Sequence, residues 1–303
     1  MDSSDLIPTR CAICNTLNNA VEIFPANFEV RSLNPDVFSA RRFPDKIHYC
    51  LVKCKQCGLV RSDPIASKDL LAQLYQRSTF TYTDEIPNLT KTYGRSLAAL
   101  TDFGVKKRVI LEIGCGNGFF LEEALSQGYD NVFGVEPSLD AVEHASPIIR
   151  KSITCSMMKP GLFDEEQIDV ICMFQVLDHV SDPNGLLEEC YRILKPGGLA
   201  LCINHNISSW SAKIFKERSP VIDIEHTYLY NPTTLSRLFE MRGFIVKRVG
   251  SINNYYSIYY LLRLLPLPVS IKTRLLNFIT TNKIMHLQLS LPLGNIELVA
   301  QKV

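Results

Sequence analysis

Apolar and polar positions change rhythm twice along the chain. Up to about residue 62 the apolar residues come in short β-like pieces, such as Ala20 to Phe24, broken by turn-forming residues. From Pro64 to Asp102 the spacing becomes helical, with Leu70, Leu71, Leu74 and Tyr75 in one run and Tyr93, Leu97 and Leu100 in a second. From Lys107 onward short apolar runs alternate with amphipathic stretches, the pattern of βα units around a parallel sheet. Strands are expected at 108–113, 131–136, 152–155, 168–174 and 199–204, with later apolar runs at 244–249 and 296–299. A helix is expected over 183–194. Leu186, Leu187, Cys190, Tyr191 and Leu194 form its apolar stripe, Pro183 suits its first turn, and Lys195-Pro-Gly-Gly198 stops it. A further helix is expected over 232–242. The division that follows is 1–62 as a small module, 63–104 as connecting helices, and 105–303 as an α/β domain carrying an insertion at about 251–292.

Composition narrows the class. In 303 residues, 46% hydrophobic, 21% charged, with 15 glycines and 16 prolines, nothing suggests disorder, collagen or coiled coil. The net charge of +1 supplies no chain-wide field for nucleic acid. The acidic start Met1-Asp-Ser-Ser-Asp5 is followed by no apolar core of signal length, so a cytoplasmic setting is expected.

Two of the ten cysteines' spacings carry chemistry. Cys11-x-x-Cys14 and Cys54-x-x-Cys57 offer four thiolates in two hooks, the donor set of a structural zinc. The basic, turn-rich run 39–45 lies in the 39 residues between them, and Cys50 is an alternative ligand. Disulfides are disfavoured in the cytosol. Cys115, Cys155, Cys172, Cys190 and Cys202 read as small buried hydrophobes.

The segment from Val109 to Leu121 reads as a buried strand, a turn with Gly114, Gly116 and Gly118, and the start of a helix. Glycines there permit a tight turn and let a ligand approach the backbone. The G-x-G-x-G spacing favours a nucleoside-type ligand without a pyrophosphate. Glu136 closes the second strand, where a carboxylate accepts hydrogen bonds from ribose hydroxyls. The alternative is a glycine turn with no ligand.

Leu111-Glu-Ile-Gly-Cys-Gly-Asn-Gly118, Gly134-Val-Glu-Pro-Ser138, and Phe174-Gln-Val-Leu-Asp-His-Val-Ser-Asp-Pro183 followed by Leu194-Lys-Pro-Gly-Gly198 resemble the motifs of class I S-adenosylmethionine-dependent methyltransferases. That resemblance implies a Rossmann-like, mostly parallel sheet with an antiparallel last strand. It implies that Glu112, Gly114, Gly116 and Gly118 border the methionyl part of S-adenosylmethionine, Glu136 its ribose, the backbone near Met157 its adenine, and Gln175 the methyl donor, with Cys115 and Pro137 also among the cofactor-binding residues. Tyr82 falls on the segment that covers the cofactor in relatives. The N-terminal string from Cys11 through Cys54-Lys-Gln-Cys-Gly-Leu-Val-Arg-Ser-Asp-Pro64 is similar to zinc-module methyltransferases of sugar and polysaccharide biosynthesis. The carbon-methylating members carry a further C-terminal domain that 303 residues do not accommodate, so oxygen methylation is expected.

A hydroxyl acceptor needs alignment and a base. His179, after the fourth strand, is the first base candidate, with Asp178 to orient it, contact substrate or cap the loop; His226 is the second. Between Met241 and Ile296 there is no acidic residue and there are seven basic ones. The greasy, basic insertion reads as a peripheral membrane or lipid-linked-acceptor contact, a dimer surface or a lid. The expected function is methylation of a small molecule or glycan, such as a sugar nucleotide or lipid-linked sugar. Alternatives are an RNA methyltransferase gripping RNA through the zinc module, and a non-catalytic cofactor-binding protein. Residues 1–62 carry eight basic and six acidic residues, which is weak for a phosphate-binding surface.

Overall fold

The computed structural model describes residues 6–28, 46–265, 267–281, 284 and 287–303; the start 1–5, the basic run 39–45 and Lys283 lie outside these. Strands Ala20–Phe24, Leu51–Cys54 and Val60–Ser62 pair antiparallel, and Tyr228–Leu229, from far along the chain, adds a fourth strand beside Val60–Ser62. The two cysteine hooks repeat one geometry. Asn15 N–H donates to the Cys11 carbonyl (2.8 Å) and Gly58 N–H to the Cys54 carbonyl (3.0 Å). Both turns require a left-handed residue after the second cysteine, and Gly58 (φ 77°) and Asn15 (φ 54°) are residue types that accept it.

Helix α1 (Lys68–Gln76) begins at Ser67, whose hydroxyl accepts from Leu70 N–H, and buries Leu71 and Leu74. Helix α2 (Ile86–Ala98) has Pro87 in its first turn and buries Tyr93 and Leu97. The central sheet follows, with β1 (Val109–Ile113), β2 (Asn131–Glu136), β3 (Ile153–Cys155), β4 (Ile168–Phe174), β5 (Leu194–His205), β6 (Phe244–Ser251) and β7 (Asn295–Lys302). Its order is β3-β2-β1-β4-β5-β7-β6, parallel except for β7, which runs antiparallel to both β5 and β6. Helices α3 (Phe119–Ser126), α4 (Pro183–Ile193) and α5 (Pro232–Glu240) pack on it. Every residue of β4 is buried, as a central strand covered on both faces requires. This is the Rossmann-like architecture with a reversed last strand.

Two local expectations are corrected. The helix ends at Ile193 as expected, but the strand expected over 199–204 already starts at Leu194, with a register shift between Leu194 and Leu199 where Gly197 is left-handed (φ 76°). Cys155 is exposed, because it ends an edge strand; Cys115, Cys172, Cys190 and Cys202 are buried. Between β6 and β7, strand Asn254–Ser257 pairs antiparallel with Gln288–Leu291, and α6 (Ile258–Leu264) and α7 (Val269–Thr281) lie between them.

Candidate active site

A cleft of about 750 Å³ opens at the carboxyl ends of β1, β2, β4 and β5, roofed by residues of α1, α2 and the segment between them. This is where open α/β sheets bind ligands, since their strand order reverses there. Glu112, Gly114, Cys115, Glu136, Pro137, Met157, Gln175, Tyr82, His179 and His226 all line it. Gly116 and Gly118 form the turn behind it, both left-handed at φ 53° and 76°. A Cβ at Gly116 would collide with Tyr82 Oη, so only glycine lets the cover come down on the loop.

One half of the cleft is built around Glu136 and the glycine turn. Glu136 accepts from Gly116 N–H through Oε2 and from Ser138 N–H through Oε1, both at 2.8 Å. A carboxylate has about four acceptor positions, so two remain for hydroxyls in the cleft. Burial pushes the Glu136 carboxyl up, while these two backbone bonds act in the opposite direction. Beside it, Glu112 is 2% exposed, and burial followed by the charge of Glu136 pushes its carboxyl well above the usual range. Glu112 Oε2 and Gln175 Oε1 are buried and have no hydrogen-bond partner among the described residues. Unsatisfied oxygens in a cleft mark where a ligand's donors belong. Gln175 is held left-handed at φ 57°, with its N–H donating to the Ile203 carbonyl at 2.7 Å, so local strain is spent on its orientation.

The other half is built around a buried carboxylate. Asp178 is fully buried behind the lining and does not face the cleft. Its Oδ1 accepts from Asn204 Nδ2 (2.8 Å) and its Oδ2 meets His205 Nδ1 at 2.6 Å. Burial alone would raise its carboxyl; the facing imidazole of His179, the hydrogen bond and charge of His205, and His226 outweigh it and hold the pKa below the ordinary value. A carboxylate only accepts, so His205 Nδ1 carries the proton and Nε2 is the basic nitrogen. In the same way His226 Nδ1 donates to the Val221 carbonyl at 2.8 Å. His179, expected from its position to be the oriented imidazole, is placed differently. Its Nε2 is 3.8 Å from Asp178, beyond hydrogen-bond length, and its Nδ1 is 3.1 Å from Tyr75 Oη. Desolvation pushes its pKa down to about 3, against the pull of Asp178 and with His226 and His205 adding to the drop.

His205 and Tyr75 are therefore the residues that sequence reasoning missed or set aside as packing. Their signals were present: the polar run Asn204-His205-Asn206 ends an apolar strand at the ligand edge of the sheet. The rings of His179 and His226 lie 4.9 Å apart, and those of His205 and His226 4.4 Å. Ligand atoms of Asp178, His179 and His226 fall within 4.8 Å of one another, a donor set able to hold a divalent cation.

The N-terminal module reaches this half directly. Ser62 Oγ donates to the His226 carbonyl (2.7 Å), Ser62 N–H to Thr227 O (2.9 Å), and Thr227 N–H to Asp178 O (2.7 Å). The four sulfurs of Cys11, Cys14, Cys54 and Cys57 lie within 4.8 Å of one another, with Cys11 and Cys57 3.4 Å apart. A tetrahedral zinc with bonds of about 2.3 Å separates its sulfurs by about 3.8 Å, so the cluster fits one ion. Cys50 stands apart, its sulfur 3.6 Å from Glu22.

A family model described as a methyltransferase domain matches residues 87–249. A ubiquinone biosynthesis O-methyltransferase from Pseudomonas aeruginosa is 33% identical over 31% of this chain and 43% of its own. The mitochondrial human protein of the same name is 30% identical over 57% of this chain and 50% of its own. The chain thus spans half the length of these curated relatives or less. Among solved structures, SAM-dependent methyltransferases from Aquifex aeolicus and Archaeoglobus fulgidus are 17% and 19% identical, each over 69% of this chain and over 89% and 93% of theirs, both with a TM-score of 0.45.

Proposed function

The chain belongs to the methyltransferase-domain family that matches it over residues 87–249, and from that premise we propose that it transfers a methyl group from S-adenosylmethionine to a hydroxyl oxygen of a small-molecule acceptor. The observation that carries this reading is one cleft in which a nucleoside-shaped half, with Glu136 and the unsatisfied oxygens of Glu112 and Gln175, adjoins a half lined by imidazoles. The curated relatives named above are O-methyltransferases by name, which favours oxygen over carbon.

Bound in the cleft, S-adenosylmethionine supplies an electrophilic methyl group on a sulfonium. Glu136 holds the ribose hydroxyls, Glu112 and Gln175 accept hydrogen bonds from the amino-acid end, and Tyr82 closes over the glycine turn. Aligning the acceptor oxygen with the methyl group accounts for most of the expected acceleration. The base we assign is His205. Asp178 fixes its Nδ1–H tautomer at 2.6 Å and stabilises the imidazolium formed when Nε2 takes the hydroxyl proton. His179 and His226 form the wall against which the acceptor stacks. Cys11, Cys14, Cys54 and Cys57 would hold a structural zinc, and their module supports that wall through the bond from Ser62 to His226.

The test is methyl transfer from labelled cofactor to a panel of phenols, sugar nucleotides, lipid-linked sugars and RNA. Transfer to a hydroxylated small molecule supports the reading; transfer to RNA alone, or cofactor binding with no transfer to any acceptor, overturns it. Within it, His205→Asn is expected to lower kcat about 100-fold with little change in KM, a typical value for one general base. Because burial pushes the pKa of His179 down to about 3, His179 contributes no acid limb nearer neutrality, and a limb seen there is expected to persist in His179→Gln. A profile whose acid limb vanishes in His179→Gln instead would move the base there.

The depressed pKa of His179 also has a stability consequence. Between about pH 6.5 and 3 the unfolded chain binds a proton at this position that the folded chain does not, so stability falls as pH drops through that window. The Tm lost between pH 7 and 4 is expected to be smaller in His179→Gln than in the wild type.

A further inference from the structure

We infer that the outer face of α7 docks on an anionic lipid surface. Three apolar side chains, Ile271, Leu275 and Phe278, are 48%, 38% and 59% exposed. Their i, i+4, i+7 spacing at 3.6 residues per turn puts them in a single stripe. The helix is anchored next to the stripe, about 80° round from Ile271, where Ile279 is buried. Arg274 borders the stripe about 60° to one side by the same helical pitch, whereas Lys272, about 100° to the other, lies beside Ile279 and donates to the Arg263 carbonyl at 2.9 Å. A long cationic side chain in the position of Arg274 reaches lipid phosphates while its stem lies along the apolar surface.

Charge selects the occupant. Residues 251–292 hold four basic residues and no acidic one, while the rest of the chain holds 28 basic against 31 acidic. The positive excess of the sequence therefore falls on the insertion that carries the apolar stripe, which matches an anionic membrane. A dimer surface explains the apolar residues but not this segregation, because two copies of a cationic face repel. No helix among the described residues is long and apolar enough to cross a membrane, so the contact is interfacial.

The insertion also reaches the cleft. Tyr260 of α6 lines it, Tyr255 N–H donates to Thr92 Oγ1 of α2 at 3.0 Å, and Ser257 Oγ donates to Glu85 at 3.2 Å. The insertion thus joins the lipid-facing helix to the cover of the site, bringing the cleft close to acceptors that dwell in the bilayer surface.

The inference is independent of the cofactor assignment, and its test reads the two separately. The full chain is floated with vesicles of phosphatidylglycerol and phosphatidylcholine, and with phosphatidylcholine alone. The expected result is binding to the anionic vesicles only, weakened by high salt and lowered about tenfold both in Ile271→Ser/Leu275→Ser and in Arg274→Gln. Each variant is checked for an unchanged Tm and unchanged cofactor affinity. A chain that stays in the bottom fraction with anionic vesicles, equal binding to neutral vesicles, or a dimer in light scattering that Ile271→Ser/Leu275→Ser dissolves, overturns it.

Discussion

Glu136→Ala is expected to weaken binding of S-adenosylmethionine by at least about 100-fold. Hydrogen bonds to a charged acceptor contribute about 1.5–3 kcal/mol each, and two ribose hydroxyls would lose theirs. The same substitution releases Gly116 N–H and Ser138 N–H, each held at 2.8 Å, so the glycine turn loses its tie to the end of β2. Glu136→Gln separates the two effects. Its amide oxygen still accepts, whereas its amino group faces a backbone donor, so an intermediate loss is expected. Calorimetric titration reads both variants, with a melting curve to show that β2 still folds. Undiminished affinity in Glu136→Ala would remove the nucleoside from this half of the cleft.

Stripping zinc is expected to abolish turnover while sparing the cofactor. The module's four-cysteine cluster draws on two hooks separated by a long connection, and such sites take much of their folding free energy from the metal. With the ion gone, or in Cys54→Ser, the sheet that includes Tyr228–Leu229 loosens, and with it the bonds from Ser62 to His226 and Thr227. A shift of about 1 Å in a catalytic wall costs about 100-fold in rate. Cofactor affinity should change little, because Glu112, Glu136 and the glycine turn belong to the other half. Metal analysis of the purified chain, with rate and affinity before and after chelation, checks this. One zinc per chain places it on the cysteines, a second divalent ion would point to Asp178, His179 and His226, and full turnover in a metal-free chain would sink the argument.

The parallel sheet, the glycine turn and Glu136 were legible because each is written in contiguous residues: an apolar run, a G-x-G-x-G turn, a carboxylate at a strand end; the reversal of the last strand was implied only by the family resemblance, since an apolar run does not encode direction. The paired cysteine hooks were legible for the same reason. Local spacing alone dictates the knuckle geometry at Asn15 and Gly58. What the sequence determined by itself was therefore the fold class, the glycine turn with Glu136 beside it and the grouping of the four cysteines, since backbone conformation and short-range periodicity set all three.

Only the tertiary structure decided which imidazole the buried acid orients. Asp178 and His179 are neighbours in sequence, yet successive side chains diverge, and Asp178 turns inward to His205, 27 residues away on β5. Tyr75 is brought to His179 across 104 residues, and Ser62 to His226 across 164. The apolar residues of α7 are no less hydrophobic than those of the core. Whether they face protein or solvent depends on what packs against the helix, a property of contacts between distant segments that no single stretch of chain encodes.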